Sequence, residues 1–232
     1  MVEDLAGLGK IAEAAERATR ELRQLLSDLA QDFLGPTVKE AGKYLGDRAR
    51  FHRMISTVRA AQRAKEQIAA SGIVQRPVSL KILVPALEGA SLEEEDDLIS
   101  RWAGLLATAA TTGEAIPAFA DILRQLAPEE ARMLDFIHAN AKELPAMDAA
   151  KGVEKEDLQK ASGLSKEDFL IRIQNLHRLE LVVQLTLYGP DGMRGSRGWG
   201  GEGHVGLTAL GDAFVRACHG PGKKVMGPST SA

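Results

Sequence analysis

Glu93-Glu94-Glu95-Asp96-Asp97-Leu98-Ile99-Ser100-Arg101-Trp102-Ala103-Gly104-Leu105-Leu106-Ala107, continued by Phe119-Ala120-Asp121-Ile122-Leu123-Arg124-Gln125-Leu126-Ala127-Pro128, decides how this chain folds. Leu98, Trp102, Leu105 and Ala109, joined by Ile99 and Leu106, recur at helical spacing and predict a buried stripe. Ser91 with Glu94 three residues on reads as a capping box, and Glu93 to Asp97 put five carboxylates where a helix N-terminus favours negative charge. A hard-cation site needs convergent oxygens, and no His or Cys lies near this run, so capping accounts for it better than a metal. At its helical spacing Trp102 is a core residue rather than a ligand platform.

The acidic run, Leu98, Trp102-Ala103, Leu105-Leu106-Ala107 and the Leu-rich segment ending in Leu126-Ala127-Pro128 together resemble the core motif of the Abi-alpha family. These are bacterial proteins grouped under abortive infection and phage defence. The Leu34-Gly35-Pro36 turn and Gly42 with Leu45-Gly46 are similar to the N-terminal part of the same family, so the resemblance covers roughly residues 30 to 140. It implies a role in phage defence, whose step from infection to growth arrest no residue displays. Ala127 departs from the family pattern, where Ser is expected, and as a poor cap should cost about 1 kcal/mol of local stability.

A chain of 232 residues with 44% hydrophobic content can bury a sizeable core, and only 4% aromatic residues favours packed helices over an all-β sandwich. The single cysteine, Cys218, forms no internal disulfide and demands no oxidising compartment. Met1-Val2-Glu3-Asp4 lacks the basic and apolar segments of a secretory signal, and no run of about 20 apolar residues occurs, so a cytoplasmic location is expected. The net charge of −3 advertises no nucleic-acid partner, but its distribution is uneven. Lys and Arg against Asp and Glu count 8 to 3 over residues 36–70, 6 to 13 over 72–150 and 8 to 9 over 153–219.

Leu8, Ile11, Ala15, Ala18, Leu22, Leu25 and Leu29 alternate steps of three and four, a heptad-type seam that needs a partner. An intramolecular helical hairpin is expected, with self-association through the seam the alternative. After Gly35-Pro36 a second helix runs from about Thr37 to Ala70, stopped by Ser71-Gly72, with Phe51, Met54, Val58, Ala61 and Ile68 as its apolar face. Arg48, His52, Arg59 and Arg63 fall within about 60° of one another away from that face. This basic stripe is a solvated face, a partner of the acids at 93–97, or a contact for nucleic acid or an anionic surface. A membrane-surface role is not expected. A short helix over Leu80–Glu88 and another from Pro128 to Asn140, with Leu134 and Ile137 inward, come next.

Lys142 to Gly152, with Pro145, is expected to be a linker. Beyond it, Lys155–Ala161 and Lys166–Arg178 read as two helices around the tight turn Ser162-Gly163-Leu164-Ser165, the second anchored by Phe169, Ile173, Leu176 and Leu179. Leu181–Leu187 and His204–Thr208 are β-prone arms around a Gly-rich loop, and Asp212–Cys218 closes with a helix, a pattern similar to a winged helix. If that module met DNA, its second helix would present Lys166, Arg172, Gln174, His177 and Arg178 to the major groove, with Arg194 and Arg197 on phosphates. Its near-zero charge, with Glu167, Asp168 and Glu180 beside those residues, argues for weak binding or none.

Gly198-Trp199-Gly200-Gly201-Glu202-Gly203 matches a nucleotide-binding fingerprint in letters but not in context. His52, His138, His177, His204 and His219 do not group at ligand spacing, and His219 beside Cys218 has no evident orienting acid. No catalytic constellation, cofactor motif, metal set or small-molecule site is found. The expected fold is mainly α: a helical bundle over 1–143, a linker over 144–152, a winged-helix-like domain over 153–219 and a flexible tail over 220–232. The expected function is a non-enzymatic defence protein acting through protein contacts or self-association, with a DNA-binding transcriptional regulator as the alternative.

Overall fold

Residues 51–144, 150–185 and 203–222 are described by the computed structural model, apart from the side chains of residues 51–54. The heptad seam at 8–29, the Gly35-Pro36 junction, Arg48, Arg194, Arg197 and the tail beyond 222 lie outside the described residues. Among the described residues the chain is mainly helical, with eight helices and a small antiparallel sheet of four strands. It divides into two compact units, Met1–Ala120 and Asp121–Ala232.

In the first unit, α1 (Phe51–Ser71), α2 (Leu80–Ala90) and α3 (Asp96–Ala110) pack against one another. Every residue of α3 from Leu98 to Ala110 except Ser100 is buried, Trp102, Leu105 and Leu106 completely. A helix apolar nearly all round belongs at the centre of its layer, and α1 and α2 supply the two covering faces. Val58, Ala61 and Ile68 turn the expected apolar face of α1 inward, joined by Ala60 and Ala64. A Cβ on Gly89 of α2 would overlap the Trp102 ring, so glycine there is what lets the indole seat against the helix. The link from α1 to α2 is pinned by Arg76, whose N–H donates to Ala110 O (2.9 Å) and whose Nε donates to Thr111 O (2.7 Å). These bonds satisfy carbonyls left open at the end of α3.

The capping box expected at Ser91 does not form. Ser91 ends α2 instead: its N–H donates to Leu87 O and its Oγ to Glu88 O. The following helix starts five residues later at Asp96, with Glu95 as an N-cap that makes no side-chain bond. Only Asp96 and Asp97 occupy its first turn. The preceding helix runs far enough to claim the serine, which a local motif could not reveal.

Helix α4 (Pro117–Leu123) carries the chain across the division at 120/121. The second unit then runs through α5 (Pro128–Asn140), β1 (Lys142–Glu143), β2 (Lys151–Glu154), α6 (Lys155–Ser162), α7 (Lys166–Arg178), β3 (Val182–Leu185), β4 (His204–Leu207) and α8 (Ala209–His219). The sheet order is β1-β2-β4-β3, all antiparallel, with Val153 opposite Val205 and Gln184 opposite the same Val205 across the central strand. The expected linker at 144–152 is therefore not one in its described part. Lys142 and Glu143 pair with Gly152 and Lys151, and Leu144 N–H donates to Ala150 O (2.9 Å). Nor does α5 stand apart from the C-terminal elements, since it packs on α6, α7, α8, β2 and β4. Ala131, Met133, Leu134 and Ile137 join Leu158, Phe169, Ile173, Leu176, Val205, Phe214 and Val215 in the buried set of this unit. That apolar stripe needs covering, and these elements cover it.

Candidate functional site

Helix α7 is the element on which most of the proposed contact residues lie, and its ends are built locally. Ser165 Oγ accepts from Asp168 N–H (3.1 Å) and donates to the Asp168 carboxylate (2.7 Å), which caps the start. Phe169, Ile173 and Leu176 bury one face and Leu179 comes after them, as the spacing predicted. The flanks and the opposite side carry the polar residues, and three of the five expected DNA contacts there have partners inside the unit. Arg172 Nη2 lies 3.8 Å from Glu129 Oε2 and Nη1 3.9 Å from Glu130 Oε1, ion-pair rather than hydrogen-bond distances. Arg178 donates to Asn175 Oδ1 from Nε (3.0 Å) and Nη2 (2.8 Å), and from Nη2 to Gln125 Oε1 (3.0 Å). His177 Nδ1 lies 3.1 Å from Val182 O. Lys166 and Gln174 are exposed.

Glu130 is the hub of this arrangement, and its only mark in the sequence is its place three residues after the N-cap, the glutamate position of a capping box. It is 2% exposed, accepts from Ala127 N–H at Oε2 (2.8 Å) and accepts from Asn175 Nδ2 at Oε1 (2.9 Å). The first bond supplies one half of a capping box, so the cap that Ala127 cannot provide by its own side chain is partly replaced. The second ties α5 to α7 across 45 residues of sequence. Paired glutamates after a helix-starting proline are common at helix N-termini, so only the tertiary partner singles out Glu130.

The basic stripe of α1 can be followed at two of its four members. Arg63 Nη2 donates to both carboxylate oxygens of Asp96 (2.7 and 2.9 Å), and its Nη1 donates to Asp96 O (3.1 Å) and Ser100 Oγ (2.8 Å). That bidentate clamp on the start of α3 realises the pairing with the acids at 93–97. Arg59 is exposed. His52 lies on α1 with its side chain outside the described residues, and Arg48 outside them altogether.

Glu93, outside any helix, accepts from Trp102 Nε1 (3.4 Å). Burial pushes its carboxyl above the usual carboxylate value, opposed by that indole bond and reinforced by Glu95. Two imidazole–carboxylate pairs, also absent from the sequence expectations, join α5 to α8: His219 Nε2 with Asp135 Oδ1 (2.8 Å) and His138 Nδ1 with Asp212 Oδ1 (3.2 Å). His219 thus has the orienting acid that its local sequence did not display. Cys218, next to it, is buried at 2% exposure, and successive helix positions diverge by about 100°.

Two shallow clefts flank the sheet, one of about 330 Å³ beside His204, Glu154 and Asp157, the other of about 530 Å³ beside His138, Lys151 and Asp212. Among the described residues no group of three or more His, Cys, Asp or Glu is placed to hold a metal ion. Among the same residues no helix is long and apolar enough to cross a membrane.

One protein-family model, described as abortive infection alpha, matches residues 52–218. The match spans both compact units and extends C-terminally past the region of roughly 30 to 140 that carried the resemblance, while the turns at 34–46 lie outside it. No curated protein and no solved structure matches the chain.

Proposed function

The chain belongs to the abortive infection alpha family, and on that premise we propose that it is a non-enzymatic phage-defence protein that acts through contacts with protein partners. The observation that carries the role is the match over residues 52–218, which takes in the C-terminal module as well as the signature helix. The mode of action is supported by the state of α7. Arg172 and Arg178, expected to face the major groove, sit against Glu129, Glu130, Asn175 and Gln125, which already take up part of their charge and donor capacity.

The test is to express the chain in a bacterial host and challenge it with a panel of phages. Plating efficiency on at least one phage should drop while infected cells stop growing before they lyse. Unchanged plating and unchanged survival across the panel would remove the defence role.

A DNA-binding regulator is the second reading, and one observation favours it. The order α6, turn, α7, β3, β4 is that of a winged helix, the architecture we propose for this module. Titration of random duplex DNA across a salt series separates the two. A steep loss of affinity with salt, weakened further by Arg172→Ala and Arg178→Ala, would support the regulator, and absence of binding at low salt would support the protein-contact mode.

A further inference from the structure

Glu167, Ile171, Gln174 and Arg178 succeed one another at steps of four, three and four, so they form one stripe along α7, and all four are exposed. Ile171 is 60% exposed at the middle of that stripe, on a helix whose other face already buries Phe169, Ile173 and Leu176. The charges are arranged by end: the carboxylate of Glu167 near the start, the guanidinium of Arg178 at the finish, about 16 Å apart along the axis.

We propose that this stripe is a self-association surface on which a second copy of the chain lays the same stripe antiparallel, about a two-fold axis between positions 171 and 174. Charge complementarity selects the occupant and the direction. Antiparallel pairing puts Glu167 of each copy beside Arg178 of the other and packs each Ile171 across the axis against Gln174. Parallel pairing would set Glu167 on Glu167 and Arg178 on Arg178. A two-fold contact needs one self-complementary patch, and a stripe acidic at one end, uncharged in the middle and basic at the other is such a patch. The two helix dipoles then oppose, a small further gain.

Arg178 is also prepared for the contact. Asn175 and Gln125 already hold its guanidinium, so less side-chain freedom is lost when a carboxylate arrives. A nucleic acid is a poorer occupant, because the stripe opens on Glu167 with Asp168 beside it. One isoleucine from each copy and two exposed ion pairs make a small interface, so the dimer should be weak and populated only at high protein concentration. The proposal does not depend on the defence role.

Sedimentation of the full chain over a concentration series tests it. The wild type should pass from monomer to dimer, and Ile171→Glu should weaken association at least about tenfold. Glu167→Arg and Arg178→Glu should each weaken it alone, yet an equimolar mixture of the two should associate, since the mixed pair restores opposite charges at both ends. All three positions are exposed, and circular dichroism of each variant verifies that it is folded. A wild type monomeric throughout, an Ile171→Glu chain that associates as before, or a mixture no better than its components would each overturn the proposal.

Discussion

Trp102 and the two residues that enclose it show how closely single side chains are constrained in the first unit. The indole is fully buried, a Cβ on Gly89 would overlap it, and its Nε1 donates to Glu93. Gly89→Val should therefore destabilise the protein by about 1 to 3 kcal/mol through overpacking, read as a lowered midpoint in urea with an unchanged slope. Glu93 carries a pH dependence whose direction is set by its raised carboxyl. A group whose folded value lies above its ordinary value of 4.5 contributes stability that is fully present below that value and is lost as pH rises through the folded one. Unfolding free energy of the wild type should thus contain a component that falls on the alkaline side of 4.5, and Glu93→Gln should remove that component. Equal pH profiles for the two proteins would show that Glu93 is not the source. Helical spacing revealed Trp102 as core, whereas neither Gly89 nor Glu93 was legible, because each depends on which helix the ring meets.

Two helices were legible over their whole range. Pro128–Asn140 and Lys166–Arg178 form over the ranges that capping and periodicity mark out. The turn that closes α7 was not legible: Glu180 N–H donates to His177 O (2.9 Å), Leu181 N–H donates to Leu176 O (3.0 Å), and Glu180 takes the left-handed conformation at φ 59°. This double-bonded helix end ordinarily calls for glycine. Thr208 holds it in place by donating from Oγ1 to Glu180 O (2.6 Å) while accepting from Gly211 N–H (2.9 Å) at the start of α8. Glu180→Gly should raise stability by roughly 0.5 to 1 kcal/mol through relief of that backbone strain, seen as a higher thermal midpoint. The short strand Lys142–Glu143 escaped notice for the opposite reason. Both its residues are exposed and two positions display no period, so its pairing with β2 leaves no imprint on composition.

For the whole molecule, the division at 120/121 assigns α5 to the C-terminal unit, and that assignment can be tested directly. A fragment spanning residues 121–222 should unfold cooperatively in urea, while one beginning at 153 should lack a cooperative transition, because it leaves Leu158, Phe169 and Phe214 without the α5 face that covers them. Cooperative unfolding of the shorter fragment would place the boundary at the 144–152 stretch that Pro145 suggested as a linker. Sequence by itself determined the helical class, the buried stripe of the signature helix, the bounds of α5 and α7 and the family resemblance, since these rest on composition, on local spacing and on motifs read in chain order. The tertiary structure alone decided that Ser91 closes a helix, that Glu130 binds α7 to α5, that Arg172 and Arg178 are engaged and that His219 meets Asp135. Those contacts join side chains far apart in the chain, and local spacing carries no information about which distant groups a folded core brings within reach.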